Sequence, residues 1–455
     1  MTVASPPSPR ITLEPHPSAW PGLIRSAWEK RTDQSLRMRA QLGLPTDRPI
    51  VMSGHQSEPW HPGILAKFIA AEFAAAEVGG VSAWILVDQD TGEPGGIDAP
   101  YRDANGQLRR ARYQLADAPN TEAPFSHQPS FRPAHPDVSG VQPASAERGL
   151  HRWIEALEKH SGQTNAAHQT GSALADLAGS WATPDHIVYA SQLRSTDAFA
   201  ALIAAIRESP RRCIEIYNRC AADAPEAHIA ALHAPDIDAQ LELPLWVMPE
   251  KIGGVRRRAT LADLDAVDGS RLMARALSMT ALLRSGACDL FIHGRGGVRY
   301  DAITEHWMAE WRGQSLVPTT MATADLTLGI GCERIDLADV NNAHQRAHKA
   351  RHDPAIVGDH DAGARKRSYV GAIRAAKAEG ASPAPIFAEM QAFLRDYRRR
   401  HERAIGSLRE EAAAMVRRYG EREIVAARDW AFFLYDDEAL HLLRNRIRAE
   451  FTRRD

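Results

Sequence analysis

Apolar runs that end at polar turns predict alternating strands and helices in the first part of the chain. Residues 21–42 carry apolar positions at helical spacing, and residues 49–52 are typical of a short buried strand. A helix is expected after Pro62-Gly63, since proline is favourable at a helix start, and residues 84–87 predict another strand. This order of elements predicts an α/β fold with a doubly wound parallel sheet.

The pattern divides the whole chain into three parts. Residues 1–20 are rich in proline and are expected to be irregular, whereas 21–335 are expected to form the α/β core. Within that core, 92–148 are rich in Gly, Pro, Ser and Asp, which indicates an insertion. From 336 to 455 the pattern is helical, with one long helix expected over about 385–419.

The apolar stripe of that long helix leaves two interpretations open. Its first members, Phe387, Met390, Leu394 and Tyr397, follow one another at spacings of three and four. Such spacing is typical of a coiled coil, which would make the C-terminal helices the interface of a homodimer. It is equally typical of an amphipathic helix that packs on its own core.

Two glycine-containing segments at predicted strand ends are the strongest candidates for binding a phosphate-bearing small molecule. Glycine lets a backbone approach a ligand, and the N–H groups that begin a helix attract phosphate. The candidate binding residues of the first segment are Ser53, Gly54, His55, Gln56, His61 and Lys67. Histidine there can donate to phosphoryl oxygens, and His55 is preferred over His61. The alternative is that the histidines only cap the helix.

The second segment follows a strand predicted over 289–292 and precedes a helix expected from about Tyr300. Its candidate binding residues are His293, Gly294, Arg295, Gly296, Gly297, Arg299 and Asp301. It is neither a Walker loop nor a complete dinucleotide fingerprint, although strand, glycines and helix follow in the same order. Its arginines could make charge-assisted contacts with phosphate. The alternative is a tight turn with arginines on the surface.

Acidic residues supply the remaining chemistry. Asp88 and Asp90 follow the strand at 84–87, where a carboxylate could orient an acceptor, remove its proton or hold Mg²⁺ with ATP or ADP. Catalytic roles are therefore predicted for His55, Asp88 and Asp90, and a plain polar turn is the alternative. No metal site of the protein's own is expected, since the histidines at 344, 348 and 352 are more typical of a solvated helix face.

Composition and charge limit the classes of partner that are expected. The formal net charge is −2, and the arginines after residue 363 stand among acidic residues, so nucleic acid is not an expected partner. The sequence has neither a long apolar run nor an N-terminal signal pattern, so no membrane association is expected. None of the four cysteines forms a Cys-x-x-Cys pair, which favours reduced thiols in a cytoplasmic protein.

Residues 51–56, the Pro-Gly-Ile-Leu helix entry with Lys67, and residues 84–90 together resemble the bacillithiol synthase family, the cysteine-adding enzymes of bacillithiol biosynthesis. The resemblance implies a Rossmann-like core related to nucleotidyltransferases, with insertions and a helical hairpin that can dimerise. It also implies nucleotide binding and ligation of an amino acid to an amino sugar. His55, Gln56, Asp88 and Asp90 would line the cleft. His55 stands where the family more often has glutamine.

Two functions are consistent with these features. The first is a ligase or nucleotidyl- or group-transfer enzyme of small-molecule metabolism that acts on a thiol, an amino sugar or an amino acid. The second is a non-catalytic protein on the same fold, which either binds a nucleotide or sugar phosphate or serves as a dimeric assembly protein.

Overall fold

The computed structural model describes residues 8–117, 119–330 and 335–453, which fall into two units. The larger unit takes in the chain up to Tyr101, Arg110–Gly329 and the residues from Arg428 onward. The smaller unit combines Arg102–Arg109 with Ile330–Ala427. The described residues after Ala427 therefore belong to the larger unit, whereas the sequence pattern grouped 336–455 into one helical region.

The strands in the described residues are short. They are β1 (Arg10–Glu14), β2 (Ile50–Gln56), β3 (Val81–Val87), β4 (Gly96–Arg102), β5 (Leu108–Gln114), β6 (His186–Tyr189), β7 (Glu242–Val247), β8 (Arg257–Thr260), β9 (Leu272–Ala274), β10 (Leu290–His293) and β11 (Thr319–Asp325). The first of them lies in the segment that was expected to be irregular, of which residues 1–7 fall outside the described part. The next-to-last begins at Leu290, one residue later than predicted.

The helices of the first half are α1 (Trp20–Glu29), α2 (Asp33–Gln41), α3 (Pro62–Ala76), α4 (Ala144–Lys159), α5 (Ala166–Ala178), α6 (Asp197–Glu208) and α7 (Pro210–Ala222). Those of the second half are α8 (Asp263–Ala266), α9 (Ala276–Leu282), α10 (Arg295–Arg312), α11 (Leu337–Ala350), α12 (His360–Ala378), α13 (Ala384–Arg400), α14 (Glu402–Ala426) and α15 (Asp437–Thr452). Among the described residues, no helix combines the length and the apolar character needed to cross a membrane.

The central sheet has six strands in the order β1-β11-β10-β2-β3-β6. All neighbouring strands are parallel except β1, which runs antiparallel to β11. The chain builds β2, β3 and β6 outward in one direction, then returns to place β10 and β11 on the other side of β2. The direction of strand addition therefore reverses between β2 and β10, whose carboxyl ends lie side by side. The prediction of an α/β fold with a largely parallel sheet is confirmed.

Helices cover both faces of this sheet. On one face α3 lies against β2, β3 and β11, and Phe68 of α3 packs against Trp84 of β3 with ring centroids 4.5 Å apart. On the other face, Met52 and Phe291 belong to an apolar core that includes Trp307 of α10. Side chains alternate between the two faces along each strand, so the continuous apolar runs of the sequence serve both cores.

In the smaller unit, the prediction of a single long helix over 385–419 is wrong. Helix α13 ends at Arg400 and α14 begins at Glu402, with His401 outside helical backbone geometry at φ −108° and ψ 21°. The His401 ring lies 2.9 Å from an Asp359 carboxylate oxygen. The buried members of the apolar stripe pack together within this unit: Met390, Leu394, Tyr397 and Ile405. Burial there is what the second interpretation of the stripe expects, and the homodimer stays a prediction.

The cysteines that the structure describes are buried free thiols, namely Cys213, Cys220 and Cys288. Cys332 lies outside the described residues. The expected insertion at 92–148 contains the two-stranded sheet of β4 and β5 and the first turn of α4.

Candidate functional site

The first glycine segment is not a loop. Strand β2 continues through Gln56, and Gly54 pairs with Ile85 of β3. A Cβ atom on Gly54 would lie 2.0 Å from Ile85 Cγ2, far inside van der Waals contact. Glycine is therefore required here by the contact between two strands. The interpretation of Ser53–Gln56 as a loop is therefore wrong, while ligand binding by these residues stays a prediction. The Ser53 hydroxyl donates 2.9 Å to the Ile292 carbonyl.

The turn that does follow β2 leads into a helix capped by the protein itself. His61 is the N-cap of α3, and its Nδ1 accepts a hydrogen bond of 3.0 Å from the Gly63 N–H. Gly63 itself packs tightly, because a Cβ there would lie 2.8 Å from the Ala324 carbonyl oxygen. For His61 the interpretation as a helix cap is therefore confirmed.

One polar cluster lies on the α3 side of the sheet and consists of His55, His61 and Lys67; we call it the α3-side cluster. The Lys67 ammonium donates 2.6 Å to the Gly54 carbonyl. Burial lowers the pKa of Lys67 to about 7. Burial, followed by the charges of Lys67 and His61, lowers the pKa of His55 well below its usual range. Near neutral pH, His55 is therefore an uncharged imidazole and Lys67 is only partly protonated.

A second polar cluster lies on the other face of the same strand end and consists of Gln56, Asp90, Arg256 and Trp246; we call it the α10-side cluster. Because side chains alternate, Gln56 points opposite to His55, and its amide donates 3.2 Å to Asp90. The other Asp90 oxygen accepts a 2.9 Å ion-pair contact from Arg256 Nη1. The Arg256 guanidinium also lies 4.1 Å from the centre of the Trp246 ring. The structure thus brings Gln56 and Asp90 into direct contact and adds Arg256, which the sequence did not indicate, on the second oxygen of Asp90.

Asp88 does not share the position of Asp90. It is 1% exposed, and both of its carboxylate oxygens accept hydrogen bonds from Ser191, one from the backbone N–H at 3.0 Å and one from the hydroxyl at 2.5 Å. Burial raises the pKa of Asp88 although these bonds oppose the shift. Its carboxylate holds the turn that follows β6, and the catalytic role of Asp88 stays a prediction.

The second glycine segment forms the first turn of a helix. Helix α10 begins at Arg295, not near Tyr300, and its N-cap Gly294 offers no side chain to the first N–H groups. A Cβ on Gly297 would lie 2.4 Å from His293 Nδ1, whereas nothing lies within 4 Å of one on Gly296. The first N–H groups of a helix have no partner within it, so the start of α10 offers donors beside open space.

Three side chains of this segment have partners within the protein. His293 is buried with its Nε2 3.1 Å from Asp301 Oδ2, and Arg284 donates 2.6 Å to the same oxygen. Burial lowers the pKa of His293 although Asp301 opposes the shift. Arg295 pairs with Asp325 at 3.2 Å. Asp301 and Arg295 thus have partners within the protein, and their contacts with a ligand stay predictions, while Arg299 is exposed.

The two segments nevertheless meet. Strands β2 and β10 are direct neighbours, with Ser53 opposite Ile292. A Cβ on Gly294 would lie 3.7 Å from Lys67 Cδ, so the start of α10 stands next to the α3-side cluster. Both segments therefore lie at the carboxyl edge of the sheet, a point that the sequence left open.

No group of three or more His, Cys, Asp or Glu side chains suited to a metal ion occurs among the described residues. His348 lies on α11 and His352 lies two residues after its end, with their ring centroids 5.6 Å apart. His352 Nδ1 faces Arg398 at 3.2 Å, and a cation in that position disfavours a bound metal.

The lowered pKa of Lys67 predicts a specific pH dependence of stability. Above pH 7 the folded chain has released the Lys67 proton, whereas the unfolded chain keeps it up to about its ordinary pKa of 10.5. Unfolding then binds a proton, so stability rises with pH by up to about 1.4 kcal/mol per unit. In urea unfolding at pH 7 and pH 9, wild type should gain stability relative to Lys67→Met. Parallel pH dependences of the two proteins would contradict the shift.

Comparison with known proteins identifies no family for this chain, so the resemblance at 51–56 and 84–90 stays a prediction. No protein-family model matches the chain, and no curated protein matches it either. The function therefore has to be inferred from the chemistry at the carboxyl edge of the sheet.

Proposed function

We propose that this protein is a ligase or a nucleotidyl- or group-transfer enzyme of small-molecule metabolism, with a Rossmann-like core that binds a phosphate-bearing ligand between β2 and β10. Its second substrate would be a thiol, an amino sugar or an amino acid. The observation that carries the proposal is the reversal of strand addition between β2 and β10, since open α/β sheets bind ligands where the strand order reverses.

The start of α10 would hold the phosphate. Its first N–H groups lack a side-chain cap, and the positive end of the helix dipole favours an anion there. The space beside Gly296 admits a bulky group, and Lys67 lies next to Gly294. The N-terminus of α3 is less suited to this role, because His61 already accepts from its Gly63 N–H.

Arg256 and Asp90 would complete the site on the α10 side. The contacts of Arg256 with Asp90 and with the Gln89 carbonyl both run through Nη1, which leaves its other guanidinium nitrogens for a phosphate. Asp90 is 33% exposed at its side chain. One accessible carboxylate suffices for Mg²⁺ that arrives with ATP or ADP, because phosphate and water oxygens supply the other ligands.

Lys67 would transfer the proton, and Asp90 would position the acceptor. A lysine with a pKa of about 7 can take a proton from an attacking amine at neutral pH and return it later. Asp90 would orient the acceptor in place of Asp88, because Asp90 is accessible whereas Asp88 is buried. His55, uncharged at neutral pH, would donate an N–H to negative charge that develops on the phosphate.

A non-catalytic protein that binds a nucleotide or sugar phosphate is the second candidate. One observation favours it, namely that Ser191 occupies both oxygens of Asp88, one of the two acidic residues expected to act on an acceptor. Ligand binding would then occur at the same edge of the sheet without turnover.

Calorimetric titration of the full chain with ATP, ADP and an amino-sugar phosphate, each with Mg²⁺, tests the proposal. At least one ligand should bind, and Lys67→Met should weaken that binding by about tenfold, equivalent to about 1.4 kcal/mol, because a buried donor beside the phosphate is lost. Lys159→Met is the control, since Lys159 lies on the surface of α4, where it pairs with Asp176 of α5. Equal weakening by both variants, or no binding at millimolar ligand, would contradict the proposal.

A further inference from the structure

A cavity of about 780 Å³ lies at the opposite edge of the sheet from the proposed site. Its lining includes Asp289, directly before β10, and Pro318, directly before β11, which places it at the amino ends of these parallel strands. Helices α1, α2, α6, α9 and α10 contribute to its wall, together with the segments that lead into β10 and β11. The volume falls within the range of about 300–1,000 Å³ that is usual for small-molecule sites.

The charged side chains of this cavity are predominantly basic. Lys30, Arg31 and Arg312 line it and are exposed to solvent. Among the described lining residues, Asp289 is the only carboxylate, and it is already paired with Arg39 at 2.9 Å. The lining therefore carries an excess of positive charge that favours an anion.

The uncharged part of the wall is largely apolar. Its larger apolar members are Leu23, Met38, Leu202, Leu282, Met308 and Leu316. A ligand that was only a small hydrated anion would leave this surface in contact with water, which costs free energy in proportion to the apolar area. The wall thus fits a ligand that carries an apolar body as well as a negative charge.

Arg39 adds a buried guanidinium to the wall of the cavity. It is 1% exposed, its Nε donates 3.0 Å to the Gly286 carbonyl, and its Nη2 bonds to Asp289. Its Nη1 is buried and has no hydrogen-bond partner. Because this nitrogen lies beneath the cavity surface, Arg39 contributes positive charge to the lining and not a direct hydrogen bond to a ligand.

We propose that this cavity is a binding site for a small amphipathic anion, in which basic side chains hold a carboxylate or phosphate group and the apolar wall covers the rest of the ligand. The site is separate from the carboxyl edge and does not depend on the function proposed there.

Octanoate and octyl phosphate are suitable probes, because each combines an acidic head with an apolar chain. Calorimetry on the full chain should show saturable binding of at least one of them. Inorganic phosphate and octanol, which each carry half of the required chemistry, should bind at least about tenfold more weakly. No saturable binding of either probe, or equal binding of octanol, would overturn the proposal.

A cavity-filling variant locates the probe. Ala201 of α6 lines the cavity and is partly exposed, so Ala201→Trp should reduce probe affinity at least about tenfold while the chain remains folded. Ala204→Trp is the matched control, because Ala204 is exposed on the same helix and is not part of the lining. Thermal unfolding of both variants checks folding. Unchanged binding by Ala201→Trp, or loss of binding in Lys67→Met instead, would overturn the assignment.

If Ala201→Trp fails to fold, Arg312→Gln provides the decision. Arg312 is exposed at the end of α10, so its substitution should leave the fold intact. The variant should bind octyl phosphate several-fold more weakly, and added salt should narrow the difference from wild type. Affinity equal to that of wild type at low salt would contradict the basic lining as the source of binding.

Discussion

Gly54→Ala is expected to lower the free energy of unfolding by about 3 kcal/mol, the upper end of the usual cost of overpacking a core. The new methyl group would lie 2.0 Å from Ile85 Cγ2 and 2.8 Å from the Ile85 carbonyl oxygen. Relief would require β2 and β3 to move apart, and they are paired along the full length of both strands. Urea unfolding monitored by circular dichroism measures the loss.

Gly296→Ala is the matched comparison from the second glycine segment. Nothing lies within 4 Å of a Cβ at Gly296, which stands in the first turn of α10. Alanine there should leave stability unchanged or raise it by about 0.5–1 kcal/mol, since glycine is unfavourable in a helix. Equal stability of Gly54→Ala and wild type would show that Gly54 is not required by strand contact.

Arg256→Met is expected to weaken binding of the phosphate-bearing ligand by about ten- to 100-fold. A hydrogen bond to a charged group contributes about 1.5–3 kcal/mol, and each 1.4 kcal/mol corresponds to a factor of ten. Methionine keeps a long apolar side chain beside Trp246 but removes the guanidinium. Calorimetry with the best ligand among ATP, ADP and the amino-sugar phosphate gives the comparison.

Arg258→Met controls for the loss of a positive charge two residues away from Arg256. Arg258 belongs to β8 and pairs with Glu242 at 3.2 Å, away from Asp90. Its substitution should change ligand affinity less than about threefold, because long-range charge effects are screened in salt. If both arginine variants lost affinity equally, the role assigned to Arg256 would be wrong.

The strands that are buried on both faces were predictable from the sequence, because they appear as unbroken apolar runs. Residues 84–87 were predicted as a strand and form the buried second half of β3. The extent of β2 was underestimated, since Gly54, His55 and Gln56 resemble a polar turn. These residues lie at the carboxyl end of β2, where their side chains reach the edge of the sheet while their backbone stays in the strand.

The site was less predictable because its partners are distant in sequence. Asp88 is held by a serine 103 residues away, and Arg256 reaches Asp90 across 166 residues. No local pattern encodes such contacts. The only sequence signal for Arg256 was a run of three arginines at 256–258, and charge runs are normally solvated. What the sequence did indicate was the pair of segments at β2 and β10, which the strand order brings together.

The most direct test of the central claim is a crystal structure of the full chain with the tightest-binding phosphate ligand and Mg²⁺. The account predicts phosphate density within hydrogen-bond distance of the first N–H groups of α10, close to Lys67 and Arg256. Ligand density elsewhere with none at the start of α10, for example in the cavity beside Arg39, would contradict it.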